Sequence, residues 1–270
     1  MILIAVARGV YFALLMLLFG SAAFETLLKK RLPVIAALRL PRGWVLLLAL
    51  IAACAWFILA TAQMAGEMTQ SAILESATGT LFGQLFLARI AALLGLALVL
   101  KRGAALAALL AATALVLPAA TSHAAASSPA GFTLIGATLD AVHLLTAGFW
   151  IGGLAVLVAL FRRKESNILL ALSLFSDFAM IAVLLLGMTG LINAASIILG
   201  GGSPALPYLG VLGAKLALVA IMLTLAAINR FKLMPRAQDA GMARNAVTEL
   251  SLGVIVVLLA GALGQLPPTL

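Results

Sequence analysis

His143 follows Asp140 by three residues in the stretch DAVHLLTAGFWIGGL, which is otherwise apolar. An imidazole nitrogen binds borderline transition-metal ions, and a carboxylate one helical turn away can orient the ring or exchange a proton with it. Other side chains with useful chemistry are few. His123, in TSHAAASS, is the second of two histidines. Met64, Glu67 and Met68 lie close together, and Met188 stands inside another apolar run. Thioether sulfur is soft and suits copper(I), whereas carboxylate and carbonyl oxygens suit harder ions. These residue types therefore point to a soft or borderline cation, or to proton handling. Two plainer readings stay open at this level: methionine fills gaps in apolar cores, and His143 bonds to a neighbouring backbone.

Several chemistries are excluded by motif. There is no phosphate-cradling GxxxxGK[ST] and no long soluble segment to bind ATP, so ATP drive is not expected. CxxCH is absent, which removes covalently attached haem, and two histidines allow at most one bis-histidine haem. Cys54 is the single cysteine, so neither an internal disulfide nor a CxxC metal-transfer pair exists. No catalytic constellation is present, and the chain does not read as an enzyme.

The elements that must hold these residues are membrane helices. Of 270 residues, 65% are hydrophobic and 9% charged, against roughly 45–50% and 25% in soluble domains. The surplus apolar surface must face lipid, which makes this an all-α polytopic membrane protein with the bilayer as its first partner. A span needs about 20 apolar residues. Eight such stretches appear, at 6–28, 44–64, 83–100, 104–121, 132–160, 172–198, 208–229 and 247–266. The first has its strong basic cluster, Lys29-Lys30-Arg31, after the apolar run, the reverse of a signal peptide.

The net charge of +9 would suit a nucleic-acid partner if it were spread over a soluble face. It is not. Fourteen of the seventeen basic residues fall in the loops at 29–43, 101–103, 161–167 and 230–246, and none in those at 65–82, 122–131 and 199–207. That partition puts the basic loops in the cytoplasm and both termini outside, and no nucleic-acid role is expected. The other three, Arg8, Arg89 and Lys215, fall within or at the outer ends of spans, where each must snorkel, pair or face a polar cavity.

Eight spans divide into four and four, at 1–122 and 123–270. Arg8-x-x-Tyr11 leads to Gly20 with the same spacing by which Asp140-x-x-His143 leads to Gly152. Phe82 precedes Arg89 by seven residues, as Tyr208 precedes Lys215, and MAG at 64–66 echoes MTG at 188–190. The expectation is a parallel repeat, with Arg8 approaching Asp140 and functional groups at the interface of the halves. Gly148 and Gly152 form a GxxxG groove for close helix approach.

Several phrases together resemble the copper resistance protein D family of bacterial inner-membrane proteins. They are VHLLTAGFWIGGL, LFSDFAMIAVLLLGMTGLINA, YLGVLGAKLALVAIMLTLAAINR and ELSLGVIVVLLAGALGQLPP, with RGVYFALLMLLFGS, QMAGEM and FGQLFLARIAALL in the first half. Where the family usually reads Gly-His-Ala, Ser-His-Ala surrounds His123. The resemblance implies copper transport across the inner membrane, beside a separate periplasmic copper-binding protein. The expected site has His143 in a polar cavity between the halves, near Met64 or Met188. His123 and the Met64–Met68 pair, with Glu67 beside them, would collect the ion. Asp140 or a backbone carbonyl would orient the His143 ring. A membrane haem oxidoreductase, or an assembly protein of related helical architecture, is the alternative.

The charge partition predicts that reporters fused at Ser127 and at Gly241 lie on opposite sides of the membrane. A periplasm-active and a cytoplasm-active reporter at each position measure this directly.

Overall fold

The computed structural model describes residues 1–33, 40–121, 133–199, 203, 205–236 and 238–267. They form α1 (Ile2–Arg31), α2 (Arg42–Ala65), α3 (Gln70–Gly79), α4 (Leu81–Val99), α5 (Ala104–Val116), α6 (Thr133–Arg162), α7 (Ile168–Leu199), α8 (Leu206–Ile228) and α9 (Asp239–Leu263). No strand occurs among the described residues. Leucine and alanine dominate every span, both good helix formers, and a helix satisfies its own backbone where lipid cannot.

Seven of these helices are long and apolar enough to cross a membrane. The expected fourth span is shorter as an α-helix. Pro118 lacks an N–H and its ring clashes with the preceding turn, so α5 tightens into a 3-10 segment, Leu117–Thr121. Thirteen α residues and five 3-10 residues still rise about 30 Å together, a bilayer core.

Two further details differ from the sequence reading. The loop expected at 65–82 contains α3, started by Thr69, whose side chain accepts the backbone N–H of Ala72 at 3.3 Å. The last helix begins at Asp239, well before its apolar stretch, because Met242, Asn245 and Ala246 are buried against the bundle. Hydropathy reports the lipid-facing run, not the helix end.

Helix α1 is the hub and packs against α2, α5, α6 and α9. Its contacts with α6 and α9 are backbone to backbone. A Cβ on Gly20 would stand 1.9 Å from the Gly148 carbonyl oxygen, and one on Gly152 would stand 2.4 Å from the Ser21 nitrogen. A Cβ on Gly261 would lie 2.6 Å from the Ala5 carbonyl oxygen. Without a hydrophobic drive between helices in lipid, such close approach supplies the dispersion contacts. The core divides accordingly. Tyr11, Phe12, Trp56, Phe57 and Phe86 fill the first half, with Phe57 and Phe86 stacked at 4.0 Å. Phe24, Trp150, Leu157 and Phe175 fill the second, where Phe24 meets Phe175 edge-on at 5.3 Å. Helix α8 packs on α9 and is otherwise largely exposed, which leaves a gap between it and α7.

The chain order brings the basic residues to one end of the bundle. There Glu25 binds Arg42 at 2.6 Å and Lys29 at 2.8 Å, tying α1 to α2. The segment with His123 and Ser127 lies outside the described residues, as does Arg39.

Because backbone, not a flexible side chain, faces Gly20 and Gly152, neither tolerates a methyl group. Gly20→Ala or Gly152→Ala should destabilise the protein by about 1–3 kcal/mol. Gly43→Ala, with nothing within 4 Å, should be neutral. Thermal unfolding in detergent compares the three.

Candidate functional site

Four ionisable side chains converge toward the end of the bundle opposite the basic loops. Arg8 on α1, Asp140 and His143 on α6, and Lys215 on α8 line one cavity of about 190 Å³, closed by Phe12, Met16 and Pro118. Each stands about 9–15 Å along its helix from the end opposite the basic loops. Arg8 and Asp140 face the same space, as expected from their matching positions. The Arg8 guanidinium also lies over the Phe12 and Trp56 rings, at 5.7 and 5.8 Å. Its end rests on Gly264 at the C-terminus of α9, where a Cβ would collide with it and where helix carbonyls favour a cation.

Two cross-helix hydrogen bonds set the geometry on α6. Asn193 on α7 donates its amide N–H to Asp140 Oδ1 at 2.5 Å. One turn deeper, Thr189 Oγ1 lies 2.9 Å from His143 Nδ1. The Thr189 hydroxyl is also 2.7 Å from the Leu185 carbonyl oxygen, its natural acceptor in the helix. A hydroxyl has one proton. With that proton on the Leu185 carbonyl, Oγ1 is left to accept, so Nδ1 carries the imidazole hydrogen and Nε2 keeps its lone pair. This tautomer is assigned from the network of partners. It is the arrangement found in metal-binding histidines, whose outer nitrogen is held by an acceptor while the inner one ligates. The sequence expectation of Asp140 or a backbone carbonyl as the orienting partner is replaced by Thr189. Asp140 binds Asn193 instead.

His143 borders a second cavity as well. This one, of about 400 Å³, fills the gap between α8 and α7, with Trp150, Leu186, Gly190, Met222 and Gly253 among its walls. His143, Ala147, Lys215, Val256 and Val257 line both cavities, so the imidazole and the ammonium stand where the two adjoin. Gly190 keeps the place clear, since a Cβ there would already touch the ring at 3.5 Å.

The first half buries a cation of its own. Arg89, 2% exposed, lies under Trp56 at 4.8 Å and near Tyr11 at 5.9 Å, with its Nε donating to the Leu85 carbonyl at 3.1 Å. Tyr11 and Arg89 thus meet on α1 and α4 as His143 and Lys215 meet on α6 and α8. Here aromatic rings surround the cation.

The methionines are elsewhere. Met188 is 61% exposed although its neighbour Thr189 is buried, and Met64, in the last turn of α2, and Met68 just beyond it are exposed. None of the three lines either cavity. Glu67 is exposed and accepts from the Thr69 hydroxyl at 3.2 Å. His123 lies outside the described residues. Among the described residues, no three His, Cys, Asp or Glu side chains gather as a metal cage.

Sequence reasoning missed Thr189 and Asn193. The signal was present: a polar pair at i and i+4 in an apolar run, in register with the pair at 140 and 143.

Comparison with protein families agrees with this architecture. Residues 1–132 match the copper resistance protein D-like N-terminal domain, and residues 169–263 match copper resistance protein D. The chain belongs to the copper resistance protein D family. It is therefore a membrane protein of copper handling. Residues 133–168, with Asp140 and His143, fall between the two matched segments. No curated protein and no solved structure matches the chain.

If Thr189 sets the tautomer, its hydroxyl matters more than its shape. Thr189→Val should weaken copper(I) binding by about tenfold, the usual loss for a group that orients a ligand, and Thr189→Ser should retain it. Competition against a chromogenic copper(I) chelator measures both.

Proposed function

We propose that this protein is a copper permease of the bacterial inner membrane that passes copper from the outer side toward the cytoplasm, driven by the ion's own gradient. The observation that carries this reading is the His143 imidazole, held at Nδ1 by Thr189, with Nε2 free, where two cavities adjoin. A nitrogen donor in that place is a station between an outer and an inner chamber.

The surrounding charges suit a station that must release what it binds. Arg8 and Lys215 oppose a cation and Asp140 favours one, so residence at His143 is brief. Conduction needs binding strong enough to admit an ion and weak enough to let it go. His123 and the exposed Met64 and Met68 act in this reading as collectors. They would take copper from a separate periplasmic copper-binding protein at the outer end. Met188 has no part in it, being exposed beside Thr189. Both termini would be periplasmic. The halves 1–122 and 123–270 would be parallel repeats, with α1 and α6 crossing at their matching glycines.

Proteoliposomes with an enclosed copper(I) indicator test the proposal. Wild-type protein should admit copper, and His143→Ala, reconstituted at equal abundance, should lose flux by about tenfold or more. His143→Gln should recover only part. Wild-type flux in the alanine variant would make His143 a packing residue.

A further inference from the structure

A second polar cluster lies toward the basic end, buried and outside the site just described. Glu249 on α9 is 2% exposed. Its Oε1 accepts the Asn229 side-chain amide at 2.8 Å, and Asn229 Oδ1 accepts the Asn245 amide at 2.9 Å. Asn229 opens the π-helical turn Asn229–Leu233 that ends α8, and such wide turns frequently mark functional sites. Glu249 and Asn229 line a cavity of about 230 Å³, together with Arg230, Ser176 and the apolar Trp150 and Leu154. Trp150, Val183 and Leu223 are also walls of the larger cavity beside His143. Three hollows therefore follow one another along α6: at Asp140 and His143, at Trp150, and at Leu154 and Leu157. Glu249 sits in the last.

The charges around Glu249 are few. From α8, Arg230 reaches the same cavity, but its Nη1 donates to Ser176 at 2.6 Å and to Asp177 at 3.1 Å on α7. From α6 only apolar groups face the cavity, and on α9 its other wall is Ala246. The hydrogen-bond donor on the carboxyl is a neutral amide. An ionised carboxylate buried this way lacks the cation it needs, so it either keeps its proton or acquires a cation.

We propose that Glu249 is a proton-exchanging station at the inner end of the copper route, an inference that rests on the permease reading. With the inner cavity empty of metal, the group is a carboxylic acid. When a monovalent cation enters, the O–H proton leaves to solvent and the carboxylate balances the ion's charge. No redox change occurs, and one proton leaves for each cation held there. Asn245 and Asn229 fix the carboxyl in place through both steps.

The test uses silver(I), a redox-stable stand-in for copper(I), on the purified full chain in detergent. Wild-type protein should release a proton to a pH dye in weak buffer as silver binds. Infrared difference spectra should show loss of a protonated carboxylic acid band. Glu249→Gln should still bind silver through His143 but lose both signals. If it releases the same protons and shows the same band, the proposal is overturned. Should the glutamine variant not fold, Glu249→Asp must shift the band, and an unshifted band overturns the assignment. Silver that binds neither wild type nor variant removes the permease reading and this one with it. Binding that His143→Ala abolishes, with proton release untouched by Glu249→Gln, removes this one alone.

Discussion

The contact between α1 and α6 governs the rest of the molecule. At Gly20 and Gly152 the two backbones touch with no side chain between them. A residue of any size there would push the helices apart. Asp140 and His143 stand about two to three turns from that crossing on α6, as Arg8 and Tyr11 do on α1. The glycine contact thus sets how far Arg8 lies from Asp140. Through the second glycine crossing, at Gly9 and Gly261, it also sets where α9 closes the cavity at Arg8 and Asp140.

The bilayer explains why the polar groups are arranged in steps. Each costs free energy unless another group in the bundle satisfies it. Asp140 is met by Asn193, His143 by Thr189, Glu249 by Asn229, and Arg89 by a cage of rings and the Leu85 carbonyl. Three of these pairings join neighbouring helices of the second half, where the cavities are. In the first half Trp56, Tyr11 and Phe86 pack around Arg89.

Much of this was legible in the residues. Composition alone required a membrane bundle, because a chain with so little polar surface cannot be covered by water. Apolar run lengths led to eight expected spans, of which seven are long apolar helices and the fourth ends in a 3-10 segment. Asp140 and His143 stood out because ionisable residues are rare in lipid, and the GxxxG spacing announced the close crossing. Matching spacing set the expectation that Arg8 approaches Asp140, and the two line one cavity.

The partners of the polar residues were decided only in three dimensions. A helical period says which residues share a face, but not which neighbouring helix that face meets or at what height. Thr189 and Met188 are adjacent in sequence with similar claims on His143. The rotation of α7 about its axis gives the imidazole to the threonine and turns the methionine outward. Likewise Asn229, Asn245 and Glu249 are unremarkable polar residues near a basic loop until α8 and α9 bring them together. Local sequence determines helices, because their hydrogen bonds are local. Hydrogen bonds between distant helices depend on rotation and depth, which packing of the whole bundle sets.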